Sequence, residues 1–468
     1  MKKVRYVVAL SGPLILMAGA AFGHAFGQRY DLPIPLSVYL FGAGTVVALS
    51  FVIAALSTRL YVPALKPHEH PVTLPGLIVW QAASVTVFLL VIAAGLLGSQ
   101  STFKNIAPLA VWVAFWVGLS LVCGFLGDVW VVLNPLAAIH SWAEKLAGRA
   151  GPGLSFNLPL PQWLGAWPAV GLFLGFAWCE LLWEESGHPR DVAGLVIRYS
   201  ILTWIGMSLF GRRAWLGAGE IFSIAFAQFG CFAPISLRLV NGRILGALRP
   251  YGLGLLRDLP HTASRAAFLI VMLSTVTFDG LSETPAWRDL LRVLRPSGAE
   301  ALMAATGGLV LLPVIFAGGF VATVWVCRRL ALGRQSLVVL AGYFAPTLLP
   351  IALAYHLAHN LSFLLLGLQY MVPLLSDPLG FGWDLFGTSL YLVNPSLVNA
   401  KLLWTVAIVT IVAGHCAAVY LSHIVALRVF GRHAATRSQL PMLALMVAYT
   451  MTSLWILAQP ITNARAGG

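Results

Sequence analysis

What most constrains this chain is a succession of about eleven or twelve apolar runs, each long enough at about 18 residues or more to cross a bilayer as a helix. After an apolar start over 1–23 they lie near 34–57, 77–98, 106–126, 163–183, 194–210, 217–234, 264–282, 302–327, 336–368, 402–427 and 440–460. Lipid offers backbone N–H and C=O groups no partners, so such runs can only be helices that satisfy those groups internally. The composition agrees: 59% of residues are hydrophobic and 10% charged, with a mean hydropathy of +0.86. The expected fold is all-α, a polytopic transmembrane helix bundle surrounded by the lipid bilayer. No internal repeat is evident and no joint is long enough for a soluble domain, so 24–468 reads as one multi-pass membrane domain.

The net charge of +13 does not point to nucleic acid, because Arg and Lys sit in short joints rather than on an aromatic-laced face. They set topology instead. Placing Arg59 and Lys66, the 138–150 joint, Arg212 and Arg213, the string RRLALGR at 328–334 and the string RVFGRHAATR in the cytoplasm gives one alternation across the membrane, with one conflict. The run 217–234 separates two positive joints, since Arg238, Arg243, Arg249, Arg257 and Arg265 follow it. It is therefore expected to be re-entrant or interfacial, which its Gly, Pro and Glu220 allow where protein covers it. Residues 24–33 and 369–400 are then expected on the outer, periplasmic side.

The start, MKKVRYVVALSGPLILMAGAAFG, has a basic n-region and an apolar h-region, with Ala21 and Gly23 at the positions a signal peptidase reads. Residues 1–23 are a signal peptide or a retained first helix. Cleavage would leave His24 as the amino terminus, where amine and imidazole together can chelate a metal, with Asp31 following in the same segment. Cysteines 123, 179, 231, 327 and 416 are odd in number and lack CxxC spacing, which suggests neither a disulfide framework nor a zinc finger.

Ionisable groups inside spans are expensive and mark function or interhelical pairing. Here they are Glu180, Asp279, His356, His359, His415 and His423. The string AYHLAHN at 354–360 sets His356 and His359 at i, i+3 with Asn360 at i+4, so all three are expected on one helix face. Two such histidines plus a third, His415, or a neighbouring carboxylate make a metal site for a divalent transition ion, zinc or copper. The competing reading is that they hydrogen-bond between helices to hold packing. His423 lies about two turns beyond His415, on the order of 12 Å away, too far to share an ion with it. PHEHP at 67–71 lacks the spacing of a zinc-protease helix and reads as a solvated joint, and Asp128 as a turn residue.

No Walker loop, GxSxG elbow, HExxH or dinucleotide glycine pattern is present, which argues against an ATPase, a serine hydrolase of the usual type or a zincin. The dispersed His, Asp and Glu set suits a metal-bound water attacking an ester or phosphoryl centre, with Asp279 or Glu180 as catalytic base.

Four stretches carry a resemblance: HAFGQRYDLPIPLSVYLFGAGTVVALSF at 24–51, GDVWVVLNPLAAI at 127–139, PIALAYHLAHNLSFLLLG at 350–367 and LLSDPLGFGWDLFGTS at 374–389. Together they resemble the bacterial multi-pass membrane proteins of the fenitrothion-hydrolase-like family, from the N-terminal segment to the last third of the chain. The resemblance implies hydrolysis of an organophosphorus triester, a small apolar ester substrate, with release of a nitrophenol. It carries no catalytic residues across, so the residue roles above rest on this sequence alone. Two other readings stay open: a transporter or metal-handling protein that passes a metal ion, and a subunit or assembly factor whose outer loops dock a membrane partner.

Overall fold

The computed structural model describes residues 32–60, 72–150, 153–258, 262–294 and 298–462. His24, Asp31, Lys66, the PHEHP string and the 1–23 segment lie outside the described residues. The apolar runs become helices: α1 (Leu36–Leu60), α2 (Leu77–Leu97), α3 (Ile106–Phe125), the short α4 (Trp130–Leu133), the amphipathic α5 (Pro135–Ala150), α6 (Trp167–Leu181), α7 (Pro189–Phe210), α8 (Arg212–Ala218) and α9 (Ile221–Phe232). After them come α10 (Ala263–Ser282), the amphipathic α11 (Pro285–Leu294), α12 (Ala299–Leu330), α13 (Leu337–Ser376), α14 (Ala400–Ser438, broken at Gly431) and α15 (Leu440–Thr462). Among the described residues nine helices are long and apolar enough to cross a membrane, and α6 is a shorter apolar one. The chain is an all-α polytopic bundle.

Burial sorts the helices. In α10 and α13 72% of the apolar window is inside the protein, against 17% in α2 and 22% in α12. The outer helices turn residues such as Val79 and Val87 of α2 or Leu311 and Val314 of α12 outward, as a lipid-facing surface requires. The core between them is aromatic and fully buried at Phe173, Phe226, Phe268 and Phe344. Phe115, Trp116, Phe176 and Phe222 interlock edge to face within it. Trp116 lies in a stretch of α3, Ala110–Leu119, that is wound as a π-helix.

A small sheet, unforeseen in the sequence, fixes the path. β1 (Val72–Leu74) pairs antiparallel with β3 (Arg243–Leu248), which pairs with β2 (Ile235–Val240) in a hairpin, giving the order β1-β3-β2. Its strands are three to six residues long and lie in joints, although Ile235–Val240 alternates apolar and polar residues and Asn241 and Gly242 supply a hairpin turn, a signal the membrane pattern overshadowed. The same end of the bundle holds the end of α3, since Ile235 N–H donates to Leu126 C=O (3.0 Å) and the Tyr251 hydroxyl to Phe125 C=O (2.9 Å). It also holds the end of α7, because Phe156 and Leu158, which follow α5, donate to Ser208 and Leu209 C=O at 2.7 and 2.8 Å. At the far end Trp112 and Thr102 donate to Ser186 and Gly187 C=O, so α6 and α7 both cross between the two ends.

The pair α8 and α9 meets at a 71° bend. It starts where α7 finishes and ends at β2, both at the sheet end. The charge pattern expects 217–234 to be re-entrant or interfacial, and the bent pair has the form of either a broken span or a re-entrant loop. Its tip is Glu220, which caps α9 by accepting from Phe222 N–H (3.1 Å) and Ser223 N–H (2.7 Å). Tyr199 of α7 donates its hydroxyl to the same carboxylate at 2.7 Å, and Trp130 and Asn134 approach at 3.4 Å. Irregular backbone at this depth is tolerated because protein covers it.

Candidate functional site

Asp279 sits in the last turn of α10, followed by Gly280. A side chain at 280 would collide with its neighbours: a Cβ there would stand 2.6 Å from Tyr355 Oη, 2.7 Å from Ile456 Cγ2 and 3.5 Å from His359 Cε1. Gly280 thus lets α13 close onto α10, and His359 Nε2 comes to 2.7 Å from Asp279 Oδ2. The imidazole is nearly enclosed at 4% exposure, whereas the carboxylate keeps 25% and is reachable. Tyr355, fully buried one turn earlier, stacks on the His359 ring at 5.8 Å and 13°.

Two further groups named from the sequence join this pair. Glu180, at the end of α6, faces the Trp116 indole and lies close enough to Asp279 for their charges to interact. His356 packs edge to face on Trp116 at 5.4 Å and lies against Phe229, within electrostatic range of His359 and Asp279. Its Nε2 is buried without a hydrogen-bond partner. Glu180, Asp279, His356 and His359 are therefore brought together from three helices, α6, α10 and α13.

Other expected members are placed elsewhere. Asn360 turns back along its own helix, its Nδ2 donating to His356 C=O at 3.1 Å and standing 3.5 Å from His356 Nδ1. The backbone carbonyl one turn earlier is simply nearer than any interhelical target. His415 of α14 is fully buried, with Nδ1 2.8 Å from Ile411 C=O and its ring on Tyr449 at 5.8 Å, away from the Trp116 and Phe229 side that holds His356. His423 rests edge to face on Phe51. Asp128 occupies the turn between α3 and α4 at the sheet end, where burial pushes its carboxyl up to about 7 against the pull of the Val131 and Trp130 N–H groups.

Trp116, Tyr355 and Gly280 escaped sequence reading, since a buried aromatic or a glycine in an oily run is the commonest of patterns. Only the adjacency of Tyr355 to His356 marked it.

For a metal, the donors are of the right chemistry but not assembled. Among the described residues the three-donor group whose ligand atoms all lie within 4.8 Å of one another is Glu185, His188 and Asp191, an exposed set around the start of α7. His356, His359, Asp279 and Glu180 do not converge on one point in that way.

Comparison of the chain with protein-family models, with curated proteins and with solved structures finds no match.

Proposed function

We propose that this is a bacterial inner-membrane hydrolase of apolar esters, with organophosphorus triesters as the substrate class that the resemblance in sequence implies. The observation that carries the proposal is the 2.7 Å contact between His359 Nε2 and Asp279 Oδ2 inside the bundle, with Glu180 and His356 beside it. Each ionisable group in a span costs about 2.5–3.5 kcal/mol on insertion scales, so four of them brought beside one another from three helices support a role in chemistry or transport.

Attack of water on phosphorus or an ester carbon needs a base for the water proton and an acid for the departing oxygen. The Asp279 carboxylate, partly reachable, takes the proton from water as the new P–O or C–O bond forms. His359, hydrogen-bonded to it, orients the carboxylate and shares the proton, which leaves with the alcohol or phenol when the bond to the leaving group breaks. Glu180 keeps a second carboxylate beside the same pair. Because the histidines and carboxylates do not converge as three ligands, no step is routed through a metal. The charge pattern supports a periplasmic side for residues 369–400, opposite the joints that carry Arg212, Arg213, Arg328, Arg329 and Arg334.

The test is hydrolysis of a nitrophenyl phosphotriester by the purified chain in nanodiscs, followed as nitrophenol release, beside Asp279→Asn and His359→Gln proteins shown to be folded. Turnover in the wild type that is lost in both variants supports the reading. Equal turnover in all three, or none in the wild type, removes it.

A further inference from the structure

Below the Asp279 and His359 pair, toward the middle of the bundle, polar groups from four helices line up along one seam. Tyr355 of α13 lies over His359 and points its hydroxyl at Gly280 of α10. It is within electrostatic range of Tyr449 on α15. The Thr277 hydroxyl of α10 donates to Leu273 C=O at 2.8 Å, so at the 2.6 Å contact between Thr277 Oγ1 and Tyr449 Oη it is Tyr449 that donates. That leaves the lone pairs of Tyr449 facing Ser453 one turn along α15. His415 of α14 lies against the Tyr449 ring at 5.8 Å.

Two of these groups end in polar atoms that are buried and without a hydrogen-bond partner, Tyr355 Oη and His415 Nε2, while the Ser453 hydroxyl faces Tyr449. Tyr355, Ser453 and His415 are each fully enclosed, so neither bulk water nor lipid headgroups satisfy them. Nearly all buried polar groups find a partner, and where the protein provides none the usual one is an ordered water bonded to several such atoms at once. Isolated orphans scattered through a core would be packing accidents. Here two from different helices, Tyr355 and His415, flank one tyrosine beside the Asp279 and His359 pair.

We infer that the seam between α10, α13, α14 and α15 is a binding site for a file of water molecules, running from His415 past Ser453, Tyr449 and Tyr355 to the Asp279 and His359 pair. Such a file brings water and protons to an intramembrane carboxylate from inside the bundle, separately from any path a substrate takes through lipid. The inference stands on packing and does not require that the pair hydrolyse an ester.

Hydroxyl-radical footprinting of the full chain in nanodiscs, read by mass spectrometry, tests it, because water bound inside a protein generates radicals where it sits. After normalisation for intrinsic reactivity, Tyr355, Tyr449 and His415 are expected to be modified several-fold faster than Phe268 and Phe278, which are equally enclosed at 0% and 1% exposure. Equal rates would overturn the inference. In a Thr277→Val/Ser453→Ala protein, which keeps side-chain volume, modification of Tyr449 and His415 is expected to fall toward the phenylalanine level. Undiminished modification in that folded variant would also overturn it. Should the variant not fold, the wild-type rates decide alone, and neither readout depends on turnover.

Discussion

Asp279 Oδ2 and His359 Nε2 meet at 2.7 Å across two of the most enclosed helices in the protein, α10 and α13. Removing either partner leaves the other in a site built for both. Asp279→Asn and His359→Gln are each expected to lower hydrolysis by at least about 100-fold, the lower bound for a positioned acid–base group. Each should also destabilise the fold by about 1–3 kcal/mol, the cost of an unsatisfied buried group. The double variant should lose less than the sum of the two, as residues in contact do. Nitrophenol release and thermal unfolding in one detergent give both numbers.

Gly280 is where the two helices close. Gly280→Ala introduces a methyl 2.6 Å from Tyr355 Oη and 2.7 Å from Ile456 Cγ2. Overpacking of this kind costs about 1–3 kcal/mol. The helices are expected to part, lengthening the contact of Asp279 with His359, so activity should fall even though no ionisable group changes. Retained activity with unchanged melting would show that the closure is not tight.

The tip of the bent pair depends on Glu220. Glu220→Ala removes the cap of α9 and the acceptor for the Tyr199 hydroxyl. A lost cap costs about 1 kcal/mol and a stranded buried donor about 1–3 kcal/mol more. Tyr199→Phe, which loses one hydroxyl, should cost less. A melting series of the two single variants and the double variant measures the coupling.

Asp128 sets a pH dependence. Its folded carboxyl is raised to about 7, above its unfolded value, so the folded state holds the proton more tightly than the unfolded chain. Stability is then expected to fall as pH rises from about 4 to about 7 and to level off above that window. Asp128→Asn should flatten this slope and be relatively more stable at neutral pH. Unfolding midpoints of the two proteins across that range check the sign.

Zinc and copper content is the remaining test of the acid–base reading. Because His356, His359 and Asp279 do not converge as three ligands, elemental analysis is expected to give equal metal in wild type and in a His356→Ala/His359→Ala protein. A stoichiometric ion lost in the double variant would replace acid–base chemistry with metal-assisted attack.

The sequence by itself determined the class of fold, because a bilayer imposes one physical test on every stretch, but it overcounted the crossings: of about eleven or twelve apolar runs, nine become helices long enough to span among the described residues. A run either satisfies its backbone internally and is apolar for about 18 residues, or it does not cross. The positive joints on both sides of 217–234 followed from that same local rule. Glu180, Asp279, His356 and His359 stood out for the same reason, as costly residues in oily runs. Only the tertiary structure decided which of them meet. His415 passed every local test and yet faces Tyr449, while Glu180, 99 positions from Asp279 in the numbering, shares its surroundings. Which helices touch depends on packing between lipid-compatible faces, where Gly280, Trp116 and Tyr355 decide the fit by shape, and shape complementarity between distant segments leaves no periodic signal in a chain that is apolar almost throughout.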